Sequence, residues 1–253
     1  MSNNVRDFYD DLAGEYDAIY DDWDASIRRQ AGIIKPLLKD ANIVLDISAG
    51  MGTQAIGLAL LGISVVARDL SPRLIARGCK EAARLGASLE FQVGNMLEAW
   101  PADAGQFSAV IAFDNSLPHL ENDAELRLAL KAAKLALRPG GQFLASIRDY
   151  DSIIRFRPAG DPAREMGKSP TRRKVLQNWA WDADGKGYSL EHIVMHEGPN
   201  GWTSNTRISH YHALLRSELE SCAKAEGFLD CHWLMPKDSG FYQPIFMGSN
   251  SVD

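Results

Sequence analysis

The stretch Ser48-Ala49-Gly50-Met51-Gly52-Thr53 follows directly on an apolar run, Ile43 to Ser48, and a helix-like segment opens at Thr53. Glycines at such a junction let the backbone turn tightly and approach a ligand with no Cβ in the way. In open α/β sheets, ligands sit beyond the carboxyl ends of the strands. Asp69 stands seventeen residues past Gly52, at the end of the second run, where its carboxylate can accept both hydroxyls of a ribose. Asp46 lies two residues before Ser48. A carboxylate so near the glycine loop repels a pyrophosphate and suits a ligand that carries positive charge. Gly94-Asn95-Met96 close the third run, where an Asn side chain and the following amide can read the edge of an adenine.

Two other readings of the loop are a plain tight turn and a nicotinamide-dinucleotide fingerprint. The latter wants G-x-G-x-x-G with a pyrophosphate over the helix N-terminus, and Ala55 is a tolerated third residue. Asp46 and the Gly94-Asn95-Met96 segment weigh against it.

The candidates for handling a second reactant are His119, just after the fourth run, and Arg148 and Tyr150, which close the fifth. His119 is either a satisfied loop histidine or a pocket residue able to act as a base. Arg148 suits a bidentate grip on a carboxylate, or else a structural ion pair with Asp149 or Asp151. Trp179 and Trp181 share a strand face by the period of two and could wall an amine. Trp179, Trp181, Tyr211, Phe241 and Tyr242 otherwise read as core or pocket wall. His210 and His212 share a face and read as strand residues, not metal ligands. The Arg172-Arg173-Lys174 cluster reads as a solvated turn, with anion binding the alternative. No CxxC or HExxH spacing occurs, so no metal site is expected.

These residues need a scaffold of alternating elements. Apolar runs Ile43 to Ser48, Ser64 to Leu70, Leu89 to Asn95, Phe107 to Asp114 and Gln142 to Asp149 predict five strands. Thr53 to Leu61, Pro72 to Leu85 and Asp123 to Leu137 predict the helices between them. Strands of this kind belong to a mostly parallel sheet covered on both faces. Extended segments Arg173 to Trp181, Tyr188 to Glu197 and Trp202 to Leu214, joined by hairpin-like turns, break the alternation. A helix over Leu215 to Phe228 and strands near Cys231 to Met235 and Gln243 to Met247 complete the chain. Residues 1–40 read as helical, with a break near Trp23. The expected fold is α/β: a Rossmann-like seven-stranded, mostly parallel sheet with an antiparallel insertion after strand 5 and a helical N-terminal extension. We expect a single domain over 1–253. It comprises an N-terminal cover (1–40), a ligand-binding half (41–150), a lid insertion (151–214) and a C-terminal helix with strands (215–253).

Lys and Arg number 27 against 33 Asp and Glu, a net charge of −6, which disfavours a nucleic-acid partner. No run reaches the roughly 18 apolar residues of a membrane span, so no membrane partner is expected. The acidic N-terminus lacks the apolar core of a secretory signal. Three sparse cysteines, Cys79, Cys222 and Cys231, fit a reducing, cytoplasmic setting.

Taken in order, VLDISAGMGTQ, RDLS, GNM, FDNSLPHL and LRPGG resemble a class I S-adenosylmethionine-dependent methyltransferase, over Ile43 to Asp151 most closely. Tyr16 to Trp23, Asn115 to Leu120 and Arg148 to Asp151 make the chain most similar to the glycine/sarcosine N-methyltransferase group. It departs from the group's loop at Ser48, where a glycine is usual. The resemblance implies S-adenosylmethionine as cofactor. Ser48, Gly50 and Gly52 would line its methionyl part, Asp69 and Leu70 its ribose and adenine, and Asn95 and Met96 the adenine. Asp114 with Asn115 would face the ammonium and sulfonium region. Tyr20 and Trp23 would cover the cofactor, and Arg29 (or its neighbour Arg28) would meet its carboxylate. The implied reaction is methyl transfer to a small-molecule amine or amino-acid nitrogen. An O-methyltransferase, a non-catalytic cofactor-binding regulator and, further off, a nicotinamide oxidoreductase are the alternatives. The sequence leaves the oligomeric state open, a homodimer included.

Overall fold

The structure is a computed structural model and describes residues 3–169 and 171–252. Its main sheet has seven strands: β1 (Ile43–Asp46), β2 (Ser64–Asp69), β3 (Glu90–Val93), β4 (Phe107–Ala112), β5 (Leu137–Ser146), β10 (Leu229–Leu234) and β11 (Ile245–Ser249). They lie in the order β10-β11-β5-β4-β1-β2-β3. The pairs among β1 to β5 are parallel, whereas β11 runs antiparallel to both β5 and β10. The expected mostly parallel sheet is therefore the observed one.

Alternation along the central strands divides the core. Leu45, Val110 and Ala112 face one layer, with Leu130, Phe143 and Phe246. Val44, Ala109 and Ile111 face the other, with Ala55, Leu58 and Leu144. Every residue of β4 is buried, as a strand covered on both faces requires.

The covering helices are α1 (Asn3–Leu12), α2 (Trp23–Leu37), α3 (Thr53–Leu60), α4 (Pro72–Leu85) and α5 (Asp123–Ala136). Local chemistry sets their ends. Asp22, Ser71 and Asn122 each cap a helix by accepting a backbone N–H, and Pro72 opens α4 where its missing N–H costs nothing. Gly86, at φ +72°, closes α4 in the left-handed region. Trp23 is the first residue of α2, so the expected break falls just before it. Helix α5 ends at Ala136 and β5 starts at Leu137. The Arg138-Pro139-Gly140-Gly141 stop sequence forms a register shift inside β5, between the Phe107–Leu137 and Ala109–Gln142 pairs.

After β5 come α6 (Tyr150–Phe156) and four antiparallel strands: β6 (Gly160–Met166), β7 (Arg173–Trp181), β8 (Gly187–Gly198) and β9 (Gly201–His212). The sequence pattern does not announce α6 or β6. β6 is an exposed edge strand that contains Pro162 and pairs with β7 through a bulge, so it carries little apolar pattern. Helix α7 (Arg216–Ala225) and the short α8 (Pro236–Ser239) flank β10. Trp179, Tyr188, Leu190 and Tyr211 of the antiparallel sheet share one hydrophobic cluster with Leu117, Ile147 and Tyr150 of the main unit. This sheet therefore sits over the carboxyl ends of β4 and β5. Among the described residues no helix is long and apolar enough to cross a membrane.

Candidate active site

A cleft of about 560 Å³, its mouth included, opens at the carboxyl ends of β1, β2 and β4. Its floor is the glycine loop, with Ser48, Ala49 and Gly50, and its sides include Asp69, Leu70, Gly94, Met96 and Asp114. Val5, Tyr9 and Tyr16 of the N-terminal segment roof it, and Ser116 and His119 close one end.

The loop is held by Asp69, whose two oxygens accept Gly50 N (2.8 Å) and Ser71 N (2.9 Å). Gly50 turns at φ +56°, and a Cβ there would meet the Tyr16 hydroxyl at 3.5 Å. Gly52, at φ +94°, is not among the residues that line the cleft, and a Cβ there would come within about 3 Å of Ile56 and the Phe91 ring.

Asp69 and Asp114 line the cleft, Asp46 lies just behind the glycine loop, and no lining residue is Lys or Arg. Burial pushes the Asp46 carboxyl up to about 8, with Asp69 and Asp114 adding to the rise. Burial raises Asp69 to about 6, against the pull of its amide donors and with Asp10 adding to the rise. Asp114 is raised too, by burial, while Tyr242, Gln54 and Tyr20 oppose the shift by donating to it. Gln54 reaches it at 2.8 Å, and the Tyr242 hydroxyl donates to its other oxygen. Asp114 and Asn115 both hold left-handed backbone, φ +59° and +65°. Two such non-glycine residues in succession store strain of the kind that clusters at functional sites. Asp46 Oδ2, Ser48 Oγ and Ser116 Oγ are buried without a hydrogen-bond partner. A concave site with surplus negative charge and spare hydroxyls is built for a cationic, polar ligand.

His119 is 3% exposed and accepts or donates at both ring nitrogens, to the Tyr9 hydroxyl at 2.8 Å and to Ser209 Oγ at 3.4 Å. Its ring lies against Tyr211, centroids 4.1 Å apart. Burial, with the Arg148 charge adding, lowers its pKa to about 3. The ring is therefore neutral at physiological pH and a poor proton acceptor. Arg148 faces it from the β5 end. Its guanidinium donates to the Tyr188 hydroxyl (2.8 Å) and Gln177 Oε1 (2.9 Å) and lies over Trp179 at 4.7 Å. Among the described residues, the carboxylate in ion-pair range of it is Asp161, at 3.7 Å. Asp149 and Asp151, expected as ion-pair partners of Arg148, instead meet Arg216. Tyr150 is fully buried, and its hydroxyl joins Asn115 Nδ2 and the Tyr188 hydroxyl, each at 3.0 Å. The cation over Trp179 is thus the protein's own.

Several expected ligand residues stand elsewhere. Trp23 is buried between α2 and α3, donating to Thr53 Oγ1 at 3.0 Å, and does not border the cleft. Asn95 turns its carbonyl to Leu97 N and lines a smaller cavity with Trp100 and Arg68. Asn115 clamps two strand ends, accepting Arg148 N and donating to Tyr150. Arg29 is exposed on α2; its charge acts on Asp114, while that of Arg28 acts on Asp24. Tyr20 is not a lining residue, but its hydroxyl is 3.5 Å from Asp114, which is. Arg173 holds the N-terminal segment, donating to the carbonyls of Ala18 and Tyr20, and Arg172 and Lys174 pair with Glu165. His210 meets Asp182 and His212 meets Glu218. No group of three metal-ligating side chains gathers among the described residues. Gln54, Tyr9 and Val5 are cleft residues that the sequence reading did not single out. The four-residue spacing of Val5 and Tyr9, which puts them on one face of a helix, is the signal that could have found those two.

Residues 44–141 match the family model of a methyltransferase domain. A glycine/sarcosine N-methyltransferase of Parasynechococcus marenigrum is 28% identical over 165 residues, 64% of this chain and 57% of the relative. The glycine N-methyltransferase of Rattus norvegicus is 33% identical over 149 residues, 54% of this chain and 48% of the relative. The chain thus spans about half the length of the curated relatives it matches. Among solved structures, an S-adenosylmethionine-bound amino pentose methyltransferase from Micromonospora echinaspora superposes with a TM-score of 0.76. It is 16% identical and covers 89% of this chain and 92% of its own. A sugar N-methyltransferase from a Streptoalloteichus species gives 0.72 at 16% identity, covering 91% and 88%. The fold is that of the class I S-adenosylmethionine-dependent methyltransferases. Residues 44–141 thus match a methyltransferase domain, on a fold shared with these S-adenosylmethionine-dependent enzymes.

Proposed function

We propose that the protein methylates the nitrogen of a small amine that carries a carboxylate, an amino acid of glycine or sarcosine type. S-adenosylmethionine, the cofactor this reading assigns, would supply a methyl group on a positively charged sulfur, already activated for displacement. An acceptor nitrogen forms the new C–N bond as the S–C bond breaks. The bonding pair stays on sulfur, and the ammonium proton passes to solvent. Asp69 is set to take the ribose hydroxyls, Leu70 and Met96 to flank the adenine, and Asp46 and Asp114 to face the ammonium.

The chain's own contribution is enclosure and alignment. The N-terminal residues Val5, Tyr9 and Tyr16 line the cleft and would shield the bound reactants. Alignment of this kind contributes on the order of 7–11 kcal/mol in well-oriented reactions.

The observation that supports the acceptor class is Arg148, which acts on His119 at the end of the cleft although it is not itself a lining residue. It is a half-buried cation whose close partners are neutral, a tyrosine hydroxyl and a side-chain amide, with Asp161 farther off at 3.7 Å. A cation so loosely paired fits an anionic group brought by the substrate. The names of the curated relatives support nitrogen as the acceptor atom. A product-nucleoside assay over glycine, sarcosine, methylamine and small hydroxy acids tests this. Turnover on the amino acids well above methylamine is expected; turnover confined to the hydroxy acids would replace the reading with O-methylation. Tight nucleoside binding with no turnover on any acceptor would point to a regulator.

A further inference from the structure

One polar row crosses the antiparallel sheet. Asp161 of β6 pairs with Gln177 of β7, Gln177 with His192 of β8, and His192 with Arg207 of β9. Directly paired residues share a face, so the four side chains stand side by side. Arg148 meets the row at one end, where Gln177 Oε1 accepts from its guanidinium at 2.9 Å and Asp161 stands 3.7 Å away. Glu15 of the N-terminal segment meets Arg207 at the other end, at 2.8 Å. His192 lies between them and does not line the cleft.

His192 is out of character for its position. It is 4% exposed, and Leu190 and Val194, two residues to either side on the same face, are buried and apolar. Burial, with the charges of Arg207, Arg164 and Arg148 adding and that of Glu15 opposing, lowers its pKa to about 4. The ring is therefore neutral at physiological pH, with one nitrogen protonated and the other bare.

The hydrogen bonds settle which is which. Gln177 Oε1 accepts from Arg148 and also from Trp179 Nε1, at 3.3 Å, and two donors on one atom identify the amide oxygen. The other end of the amide, Nε2, is then a donor, and it faces His192 Nδ1 at 3.4 Å. Nδ1 accepts, so the ring proton sits on Nε2, which is buried with no hydrogen-bond partner among the described residues. An aliphatic side chain here would avoid burying that unpaired N–H. It would not supply a lone pair for the Gln177 amide. Without the lone pair the amide can turn over, and a turned amide sets its N–H groups against the Arg148 guanidinium.

We infer that His192 is a positioning residue for the acceptor site: its Nδ1 lone pair holds the Gln177 amide with Oε1 toward Arg148 and so fixes the direction of the guanidinium. This rests on the reading of Arg148 as the grip on the acceptor carboxylate.

Steady-state assays of the full chain with sarcosine and with methylamine, which has no carboxylate, test it. In His192→Leu the preference for sarcosine, as the ratio of kcat/KM values, is expected to fall about five- to tenfold, the order of one neutral hydrogen bond lost. The fall lies in the sarcosine KM, and the cofactor KM moves less than about twofold. His192→Asn, whose Oδ1 can take the place of Nδ1, keeps the preference within about twofold of the wild type. In a Gln177→Leu background His192→Leu has no further effect, because the two side chains act as one unit. Nitrogen NMR of the wild-type ring, which stands even if a substitution impairs folding, shows Nδ1 bare and Nε2 protonated. An unchanged preference in His192→Leu, an equal loss in His192→Asn, or additive effects of the two leucine substitutions overturns the inference and leaves the Arg148 reading standing. So does a proton on Nδ1. A wild-type chain that does not prefer sarcosine to methylamine overturns the Arg148 reading, and this inference with it.

Discussion

Replacing Asp46 by asparagine should make the ligand-free protein more stable and a worse binder. The carboxyl titrates near 3.9 in an unfolded chain and near 8 in the fold, where burial disfavours its charge. Between those values the folded state holds the extra proton. The contribution to stability is therefore fully present below about pH 3.9 and is lost as pH rises through about 8. At pH 7 the gap of about three units costs about 4 kcal/mol, at 1.36 kcal/mol per unit. The asparagine side chain would keep an acceptor for Ser48 N, which lies 3.1 Å from Asp46 Oδ1 in the native protein. It would also bury an unpaired amide N–H, at about 1–3 kcal/mol. The net gain at pH 7 is about 1–3 kcal/mol, a rise in Tm of about 2–12 °C for a chain of this size. Calorimetric melts of both ligand-free proteins at pH 4.5, 6, 7 and 8 measure it. The difference should be near its minimum at pH 4.5 and should widen steadily to pH 8. S-adenosylhomocysteine should bind the variant about tenfold or more weakly. A lower Tm for the variant at pH 7 to 8, or a difference independent of pH, would refute the reasoning.

Trp23→Phe removes the donor to Thr53 and part of the α2–α3 packing. It should cost about 1–3 kcal/mol in denaturant unfolding and leave S-adenosylhomocysteine affinity unchanged in calorimetry, because the indole does not border the cleft. Arg148→Gln should raise the KM for a carboxylate-bearing acceptor about tenfold or more, with the cofactor KM moved less than about threefold in steady-state assays. Equal change in both would assign Arg148 to architecture alone. Arg173→Ala frees the carbonyls of Ala18 and Tyr20, so amide hydrogen exchange over residues 13–22 should quicken about tenfold while the sheet amides keep their protection.

The main sheet was legible because its strands are two-sided apolar runs, and Val44, Leu45, Ala109 and Val110 could serve only a doubly covered layer. The glycine loop and Asp69 were legible because a turn with left-handed residues and a carboxylate at the next strand end has few other uses. Elsewhere the pattern is weak. Edge strand β6 is almost wholly exposed and interrupted by Pro162, so no periodicity marks it. Side-chain direction was out of reach as well. The sequence places Asn95 and Asn115 at strand ends, but whether an amide points to a ligand or back to Leu97 and Tyr150 depends on local turns. Trp23 fails for a related reason: an indole at the start of α2 can lie over a cleft or under it, and the small Ala31 and Gly57 let α2 approach α3 closely enough to bury it. Gln54 was hidden because its partners, Gln30 and Asp114, lie 24 and 60 residues away.

The central claim is that the cleft, with its three gathered carboxylates, takes a cationic nucleoside. Calorimetric titration with S-adenosylhomocysteine at pH 6, 7 and 8, each in two buffers of different ionisation enthalpy, tests it directly. Saturable binding to one site per chain is predicted, with protons released and affinity rising with pH. The rise from pH 6 to 8 is up to about 50-fold if Asp46, at about 8, must ionise to receive the ammonium. Absence of saturable binding, or binding that weakens as pH rises with protons taken up, would contradict it.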